Sequence, residues 1–291
     1  MTDVLLLGGT GMLGYTVKAT LEAAGLHVVS TARDGSAALA FDAQTDDAGD
    51  CITAAGTPPL IVNAIGIIKP HINESDNASR QQSIDVNSSF PHRLALAAES
   101  AGSHVIQIAT DCVYSGAAGL YKESAAHDAL DVYGKTKSLG EVPSPAMTHL
   151  RCSIIGPENG RSTSLWEWLI GQTNDGTVNG YTDHLWNGVT THAYGRICAG
   201  IAKSGWREPG AFHLIPGDIV TKAQLLVDIS TSCDRGDITV NAGPAPTAID
   251  RTLATEQPDT SAILWGNAGY DTAPTIAEMV SDAEAFRKTL I

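Results

Sequence analysis

The chain has 291 residues, 43% of them hydrophobic, which suffices for one large α/β domain with an appendage or for two domains of ordinary size. Asp and Glu (32) outnumber Lys and Arg (18), and the net charge of −14 argues against a nucleic-acid partner, because phosphate backbones attract basic surfaces. No apolar run approaches the roughly 20 residues of a membrane span, and the N-terminus lacks the basic segment of a signal peptide. We therefore expect a cytoplasmic protein without a membrane partner. The five cysteines are odd in number and widely spaced, which argues against structural zinc and a disulfide framework.

Short apolar runs alternate with helical patterns through the first half of the chain. The predicted strands are Val4–Leu7, Val28–Thr31, Leu60–Ile65, His104–Ala109 and Thr148–Ile155. The predicted helices are Met12–Ala24, about Ser79–Ala101 and Tyr133–Val142. Continuous apolar strands that alternate with helices indicate an α/β fold of the Rossmann type, in which a doubly wound parallel sheet is covered on both faces.

Three glycines lie between the first strand and the first helix, at Gly8, Gly11 and Gly14. Gly8 permits a tight turn, Gly11 lets a pyrophosphate approach the N–H groups at a helix N-terminus, and Gly14 lets the helix pack close to the sheet. This position in the chain predicts a dinucleotide-binding loop. The alternative is a plain strand-to-helix turn with spare glycines.

The end of the second strand bears on the choice of cofactor. A dinucleotide-binding fold places an acidic residue there to hold the ribose 2′-OH of NADH, or an arginine to accommodate the 2′-phosphate of NADPH. Here Arg33 precedes Asp34, which favours NADPH and leaves NADH open. The alternative for Arg33 is a solvated loop residue.

A Tyr-x-x-x-Lys pattern is formed by Tyr133 and Lys137, which share one face of a predicted helix. A lysine ammonium near a tyrosine hydroxyl lowers the pKa of the phenol from about 10 toward neutrality, so that Tyr133 can donate a proton to a carbonyl oxygen. Thr110 lies at the end of a strand, where α/β sheets gather ligands, and can hydrogen-bond the same carbonyl. The alternative is an exposed amphipathic helix face.

After about Gly156 the pattern loosens, and turns and tryptophans become common. The predicted elements here are a helix at Thr191–Lys203, short elements at Ala211–Leu214, Ala223–Ile229 and Ile238–Val240, and a terminal helix at Ala277–Thr289. We expect residues 1–155 to form an NAD(P)-binding domain, with the helix at about 191–203 packing back on it. Residues 156–190 and 204–291 are expected to form a smaller C-terminal substrate-binding lobe.

Several other side chains bear on the question of ligands. Four histidines without a neighbouring ligand, His71, His92, His184 and His192, predict no metal site. Trp166 and Trp186 are candidates for the wall of a substrate pocket, although aromatic residues of a small lobe also form cores. Cys112 has no adjacent histidine and is expected to be inert. The candidates for a substrate diphosphate, which the sequence does not rank, are Lys69, Arg80, Arg151 and Arg161.

On these motifs the chain resembles the extended short-chain dehydrogenase/reductase family, above all its dTDP-4-dehydrorhamnose reductases and related sugar-nucleotide reductases. The matching segments follow the family's order and cover about half of the chain: GGTGMLG (8–14), VNAIGII (62–68), SIDVN (83–87), IATDCVYSG (108–116), YGKTKSLGE (133–141) and LRCSIIG (150–156). In the second half, SLWEWLIGQ (164–172) and HLWNGVTT (184–191) are similar to a subgroup of sugar-nucleotide reductases.

The resemblance implies a role for each matching residue. Tyr133 would be the catalytic acid, Lys137 its partner and the ribose clamp, and Thr110 the group that polarises the carbonyl. The implied cofactor contacts, besides Arg33, Tyr133 and Lys137, are Gly8, Gly11, Met12, Leu13, Asp42, Ala64, Ile65 and Gly66. The implied substrate side of the site comprises Asn87, Arg151 and Ser153, with Cys152 beside them and the candidates Trp166 and Trp186.

The resemblance implies an NAD(P)H-dependent reductase of a nucleotide-linked 4-keto-6-deoxy sugar, acting in carbohydrate biosynthesis. Its partner would be a small-molecule nucleotide sugar, and a homodimer is the candidate assembly. One alternative is an epimerase or dehydratase on the same scaffold. Dehydratases typically place a glutamate beside the Thr-Asp pair, where this chain has Cys112. The other alternative is a non-catalytic, dinucleotide-binding regulatory subunit, which an intact set of Thr110, Tyr133 and Lys137 disfavours.

Overall fold

The computed structural model describes residues 2–160 and 163–290. In the first half, strands alternate with helices. The strands are β1 (Val4–Leu7), β2 (Val28–Ala32), β3 (Leu39–Ala40), β4 (Leu60–Asn63), β5 (His104–Ala109), β6 (Met147–Arg151) and β7 (Ile154–Ile155). The helices are α1 (Met12–Ala23), α2 (Ala48–Ala54), α3 (Asn77–Ile84), α4 (Phe90–Ala101) and α5 (Val132–Leu139). The predicted strands and helices therefore lie where the apolar pattern placed them, to within a few residues.

The second half contains shorter strands. They are β8 (Thr177–Tyr181), β9 (His184–Trp186), β10 (Val189–Thr190), β11 (Gly210–His213), β12 (Val220–Thr221), β13 (Thr239–Gly243) and β14 (Ile249–Asp250). The helices are α6 (Leu165–Ile170), α7 (Thr191–Ser204), α8 (Lys222–Ser232), α9 (Pro258–Asn267) and α10 (Ile276–Lys288). Helix α9 was not predicted, because its first turn begins at Pro258 and its apolar residues, AILW at 262–265, are consecutive and show no helical periodicity.

Within the described ranges, seven parallel strands form the central sheet in the order β11-β6-β5-β4-β1-β2-β3. The order reverses between β1 and β4, so the loops that follow these two strands open on either side of a crevice at the carboxyl edge. This arrangement confirms the predicted doubly wound parallel sheet.

The core follows from the alternation of side chains along buried strands. In β1, Val4 and Leu6 belong to the apolar cluster that also contains residues of α1 and α7. Leu5 and Leu7 belong to the cluster on the other face, with residues of α2 and α4. Because successive side chains of a strand point to opposite faces, a strand of four apolar residues fits only a sheet covered on both sides.

Helix α7, although it belongs to the second half of the sequence, packs on the nucleotide half. Gly195 makes this approach close, since a Cβ there would lie 2.8 Å from Cβ of Thr20 on α1. Strand β11 is a correction to the predicted division. It was assigned to the lobe of residues 204–291, but it pairs with β6 as the edge strand of the central sheet, with Phe212 opposite Leu150.

Two further predictions differ in detail from the structure. The helix expected over 79–101 is divided by a π-helical turn at Asp85–Ser89. Pro91 has no N–H to donate to the carbonyl of Asn87 four residues earlier, which favours a wider turn there. The strand expected at Thr148–Ile155 divides into β6 and β7, and β7 leaves the central sheet to pair with β10.

Candidate active site

The loop between β1 and α1 carries the predicted glycine motif. Gly8 has a φ of 82°, a conformation that favours glycine, and its N–H donates to Oγ1 of Thr31 over 3.1 Å. A Cβ at Gly14 would lie 2.0 Å from the carbonyl oxygen of Gly8, so only glycine lets α1 approach the loop this closely. These two glycines therefore have the structural roles that the motif predicts.

The N-terminus of α1 can hold an anion. Gly11 caps the helix without a side-chain hydrogen bond, and in the described part of the chain the N–H groups of Met12 and Leu13 have no acceptor. A Cβ at Gly11 would have the carbonyl oxygen of Gly8 as its nearest neighbour, at 3.7 Å, so the space in front of the helix is open. Open space, free N–H groups and the positive end of the helix dipole fit the pyrophosphate of a dinucleotide.

The end of β2 leaves an arginine available. Arg33 follows β2 directly, and its side chain is exposed. The carboxylate of Asp34 instead accepts hydrogen bonds from N (3.1 Å) and Oγ (2.5 Å) of Ser36, and these bonds lower the pKa of Asp34. Asp42, two residues after β3, likewise accepts from the N–H of Gln44 at 2.9 Å and stabilises its own turn. At the edge where a ribose would lie, Arg33 is thus the side chain without a local structural role.

The loop after β4 lies against the glycine loop. The N–H of Ala64 donates to the carbonyl of Leu7 over 3.0 Å, and a Cβ at Gly8 would lie 2.9 Å from Cγ1 of Ile65. Gly66 follows directly. These three predicted cofactor residues therefore border the crevice at the switch point, opposite the N-terminus of α1.

Asn87 was predicted on the substrate side, as the helix asparagine that supports the site, and its contacts are those of a supporting residue. Its Oδ1 accepts from the N–H of Ile67 and its Nδ2 donates to the carbonyl of Ile67, both over 2.9 Å. Its Nδ2 also approaches Oγ1 of Thr136 at 3.3 Å. Since the buried amide is used at both ends, Asn87 fastens the β4 loop to α5 and is not free to bind substrate.

Thr110, Tyr133 and Lys137 meet at the carboxyl end of β5. Asp131 caps α5 by accepting from the N–H of Gly134 over 2.8 Å, and so fixes the turn that carries Tyr133. The Thr110 hydroxyl donates to Oδ1 of Asp111 over 3.2 Å and lies near enough to the Tyr133 hydroxyl to influence the pKa of the phenol. The ammonium of Lys137 donates to the carbonyl of Ile108 over 2.8 Å. The structure thus brings the three predicted catalytic side chains together.

The electrostatics of this cluster differ from the expectation. Burial raises the pKa of the Tyr133 phenol, and the nearby Thr110 hydroxyl only partly opposes that rise. Burial lowers the pKa of Lys137 to about 8, partly offset by Glu141. Lys137 was expected to make Tyr133 more acidic, but its ammonium is bonded to a backbone carbonyl. Burial raises the pKa of Cys112 to about 12, which agrees with an inert thiol.

Arg151 is not a substrate ligand in this structure. Its Nε and Nη2 donate to the carboxylate of Glu141, the shortest contact being 2.6 Å. Its Nη1 approaches the hydroxyl of Tyr114, the carbonyl of Glu123 and Nε2 of His213 at 3.1–3.2 Å. Each of the three guanidinium nitrogens therefore has a partner in this buried network.

The two predicted tryptophans have different environments. Trp166 has an exposed fraction of 0% and lies in the main core cluster, so it is a core residue rather than a pocket wall. Trp186 donates its Nε1 hydrogen to Oγ of Ser153 over 2.8 Å, and the Lys222 ammonium lies 5.4 Å from its ring centroid. Trp186 and Ser153 therefore stay beside the site, joined to each other.

A family model described as "RmlD substrate binding domain" matches residues 1–155. The chain belongs to this family. The match contains the glycine loop, the Thr110 strand end and the Tyr133–Lys137 helix. The predicted membership of an extended short-chain dehydrogenase/reductase family is thereby confirmed.

Three proteins illustrate what this RmlD-family chain is similar to. The methionine adenosyltransferase 2 subunit beta of Danio rerio is 25% identical over 78% of this chain and 72% of its own length. The dTDP-4-dehydrorhamnose reductase of Bacillus anthracis, solved with NADP, has a TM-score of 0.77 at 14% identity, with 99% and 100% of the two chains covered. The UDP-glucuronic acid 4-epimerase of Bacillus cereus, solved with UDP-glucuronic acid and NAD, has a TM-score of 0.72 at 15% identity, with 99% of each chain covered. At such identities the two solved structures show the fold.

Two other cations predicted for a substrate diphosphate have partners of their own. Lys69 forms a 2.8 Å ion pair with Asp131, the cap of α5. The guanidinium of Arg80 donates to the carbonyl of Glu74 over 2.7 Å. Arg161 lies outside the described residues.

Two cations that sequence reasoning missed lie near Thr110. Lys222 begins α8 and Arg251 follows β14, and the positive charge of each lowers the pKa of the buried Asp111 carboxyl. Burial is the larger influence and raises that pKa. No local sequence motif marks either cation, although each comes directly after a two-residue strand.

Two features are absent from the part of the chain that the structure describes. In residues 2–160 and 163–290, no group of three or more His, Cys, Asp or Glu side chains could hold a metal ion. Across the same ranges, no helix combines the length and the apolar character needed to cross a membrane.

Proposed function

We propose that this RmlD-family chain is an NAD(P)H-dependent reductase of a nucleotide-linked 4-keto-6-deoxy sugar. The observation that carries the proposal is the meeting of Thr110, Tyr133 and Lys137 beside a loop whose shape fits a dinucleotide. Family membership supports it, and so do similar folds that were solved with NADP and with nucleotide sugars.

The residues divide the work of reduction as follows. Met12 and Leu13 would hold the pyrophosphate, and the bound cofactor supplies the hydride. Tyr133 donates its phenolic proton to the oxygen of the former carbonyl, which Thr110 also hydrogen-bonds. Because burial raises its pKa, Tyr133 is protonated at neutral pH, as a general acid must be before the step. Lys137, one helical turn further on, provides a positive charge near the resulting phenolate.

We propose NADPH as the preferred cofactor. Arg33 is exposed at the end of β2, while the carboxylate of Asp34 is taken up by Ser36. An exposed guanidinium can pair with a 2′-phosphate, and an engaged carboxylate is a poor acceptor for a 2′-OH.

We also propose a division of labour along the chain. Residues 1–155, with α7 on their surface, would bind the cofactor, and residues 156–190 with most of 204–291 would bind the nucleotide sugar. Strand β11 is the exception, since it completes the central sheet. The cytoplasmic location and the homodimeric assembly remain predictions that are made from the sequence alone.

The regulatory-subunit alternative has one observation in its favour, the 25% identity to a methionine adenosyltransferase subunit beta. The epimerase or dehydratase alternative has less support. Cys112 replaces the acid that dehydratases typically place there, and a thiol with a pKa of about 12 is a poor acid or base at neutral pH.

The test is a screen of nucleotide-linked 4-keto sugars for oxidation of NADPH by the full chain. The reductase proposal expects turnover with at least one of them. The absence of turnover with every compound, together with stoichiometric capture of a partner enzyme, would support the regulatory subunit instead.

A further inference from the structure

A row of buried polar side chains crosses the central sheet on the face that α2 and α4 cover. Asn63 of β4 lies opposite Gln107 of β5, and Gln107 lies opposite His149 of β6. Nδ2 of Asn63 donates to Oε1 of Gln107 over 2.7 Å, and its Oδ1 accepts from the N–H of Ile65 over 3.0 Å. The row therefore begins at the β4 loop, beside the cofactor crevice, and ends at His149.

One nitrogen of His149 has no partner. Its Nε2 lies 2.9 Å from the carbonyl oxygen of Val142, and because a carbonyl oxygen only accepts, Nε2 carries the hydrogen. Burial lowers the pKa of His149, so the ring is neutral at pH 7 and Nδ1 presents a lone pair. This Nδ1 is buried and has no hydrogen-bond partner among the described residues. An unpaired buried acceptor costs free energy, so a donor is expected beside it.

Two donors with unused hydrogens lie next to this nitrogen. Nζ of Lys137 and Nε2 of Gln107 donate to the same oxygen, the carbonyl of Ile108, over 2.8 and 3.2 Å. An ammonium has three N–H groups and an amide has two, so both side chains keep hydrogens that no described residue accepts. Gln107 is directly opposite His149, and the charge of Lys137 acts on His149.

The charged groups around the pair favour a neutral His149. The charges that act on His149 are those of Glu141, Lys137 and Arg151. Arg151 cannot donate to Nδ1, because each of its guanidinium nitrogens already has a partner. A protonated His149 would place a third cation beside a single carboxylate. The thiol of Cys152, which also acts on Lys137, stays neutral because burial raises its pKa.

We propose that one buried water molecule joins Lys137 to His149. The water accepts from the ammonium of Lys137 and from the amide of Gln107, and donates to Nδ1 of His149. Three polar partners are typical of a buried water. His149 is then a positioning residue, since it holds the ammonium beside the carbonyl of Ile108 and favours its charged form. The consequence for turnover rests on the proposed function, in which that charge lies near the phenolate of Tyr133.

The experiment is an NMR titration of the full chain with lysine labelled with ¹³C at Cε, in which Lys137→Met identifies the signal of Lys137. Two substitutions separate the two nitrogens of His149. His149→Gln keeps a donor at the place of Nε2 and removes the acceptor, and the pKa of Lys137 should fall from about 8 to about 7. His149→Asn keeps an amide oxygen near the place of Nδ1 and should restore most of this fall. His27→Gln, at an exposed position, should leave the titration unchanged.

Two results of this titration would overturn the inference. One is an unchanged pKa of Lys137 in His149→Gln. The other is an equal fall in His149→Gln and His149→Asn, which would mean that packing matters and the acceptor does not. ¹⁵N NMR of the histidines in the unmodified chain tests the inference even where no variant folds. It should show a neutral His149 ring with the hydrogen on Nε2, and a charged ring or a hydrogen on Nδ1 at pH 7 would reject the contact.

The proposed function fails separately, because the titration needs no substrate. A lowered pKa of Lys137 in His149→Gln, without NADPH oxidation on any 4-keto sugar, would reject the reductase and leave the contact standing. With a confirmed substrate, turnover should decline as Lys137 loses its proton, and in His149→Gln this decline should begin about one pH unit lower. A decline at the native pH, despite a lowered pKa of Lys137, would reject the positioning role.

Discussion

The interactions that stabilise the first half of the chain differ in kind from those that stabilise the second half. In the first half, β1 is buried over its whole length and its side chains alternate between two apolar clusters. In the second half, β9 has three residues, of which only Trp186 is buried, and its neighbours β12 and β14 have two each. There, specific side chains replace the regular pattern, as when Asn187 clamps Leu253.

This difference decides which residues can be substituted without a large loss of stability. A buried strand tolerates other apolar residues of similar volume, because the hydrophobic effect is not directional. A clamp such as Asn187 tolerates little, because a buried backbone group without its partner costs free energy. The candidate site lies where the halves meet. Thr110 and Tyr133 come from the first half, called the regular half below, and Lys222 and Arg251 come from the second half, called the clamped half.

The largest effect is expected from the regular half. Tyr133→Phe removes the hydroxyl near Thr110 but keeps the ring, and loss of a positioned general acid costs about 10²–10⁴ in rate. The rate of NADPH oxidation on a confirmed substrate should fall by this factor, while cofactor affinity stays the same. Tyr181→Phe, at an exposed position of β8, is the matched control. Native turnover by Tyr133→Phe would refute the proposed acid.

A pH-dependent change in stability is expected from Lys137→Met. The pKa of Lys137 is about 8 in the folded chain and 10.5 as its ordinary value, so the unfolded chain binds more protons between these values. The stability contribution of Lys137 is therefore unfavourable below pH 8 and becomes less so as the pH rises toward 10.5. The shift corresponds to a change on the order of 3 kcal/mol.

The measurement is urea unfolding of both proteins at several pH values. Between pH 7 and pH 10.5, the unmodified chain should gain stability relative to Lys137→Met by that amount. The loss of the donor to Ile108 adds a constant offset that does not depend on pH. Lys135→Met, on the exposed side of the same helix, should show no such trend. Parallel stability curves for Lys137→Met and the unmodified chain would contradict the burial of a charged amine.

The clamped half predicts a smaller and more local effect. Asn187→Ala leaves the N–H and the C=O of Leu253 without their partner, at a cost of about 2 kcal/mol in the free energy of unfolding. Nucleotide-sugar affinity should also fall, because Leu253 belongs to the half that we propose to bind the nucleotide sugar, while NADPH affinity stays the same. Asn241→Ala, exposed on β13, should cost less than about 0.5 kcal/mol. Equal loss of both affinities in Asn187→Ala would mean that the halves do not act separately.

The same contrast explains what could be predicted from the sequence. Strand β5 and helix α1 were predicted to within one residue, because their periodicity is local. The glycine loop and the Tyr133–Lys137 spacing were visible for the same reason. Strand β11 was assigned to the wrong part of the fold, because a four-residue strand carries no signal of which sheet it joins.

The errors at the site have one physical cause, which is that sequence does not reveal partners. Arg151 is of a residue type that often binds phosphate, but its guanidinium forms an ion pair with the buried carboxylate of Glu141. Trp166 is of a residue type that often lines sugar pockets, but it lies in the hydrophobic core. Lys222 and Arg251 reach Asp111 through two-residue strands, which produce no periodic pattern.

The most selective effect is expected at the cofactor edge of the regular half. Arg33→Ala should lower NADPH affinity about ten- to a hundredfold, equivalent to about 1.5–3 kcal/mol, and leave NADH affinity unchanged. The reason is that Arg33 is exposed after β2, while Asp34 is held by Ser36. Arg33→Lys keeps the charge and should lose less. Titration of both cofactors measures these effects, and nucleotide-sugar affinity should not change because we propose that the other half binds the nucleotide sugar. Equal affinities of the unmodified chain for NADH and NADPH would show that Arg33 is only a solvated loop residue.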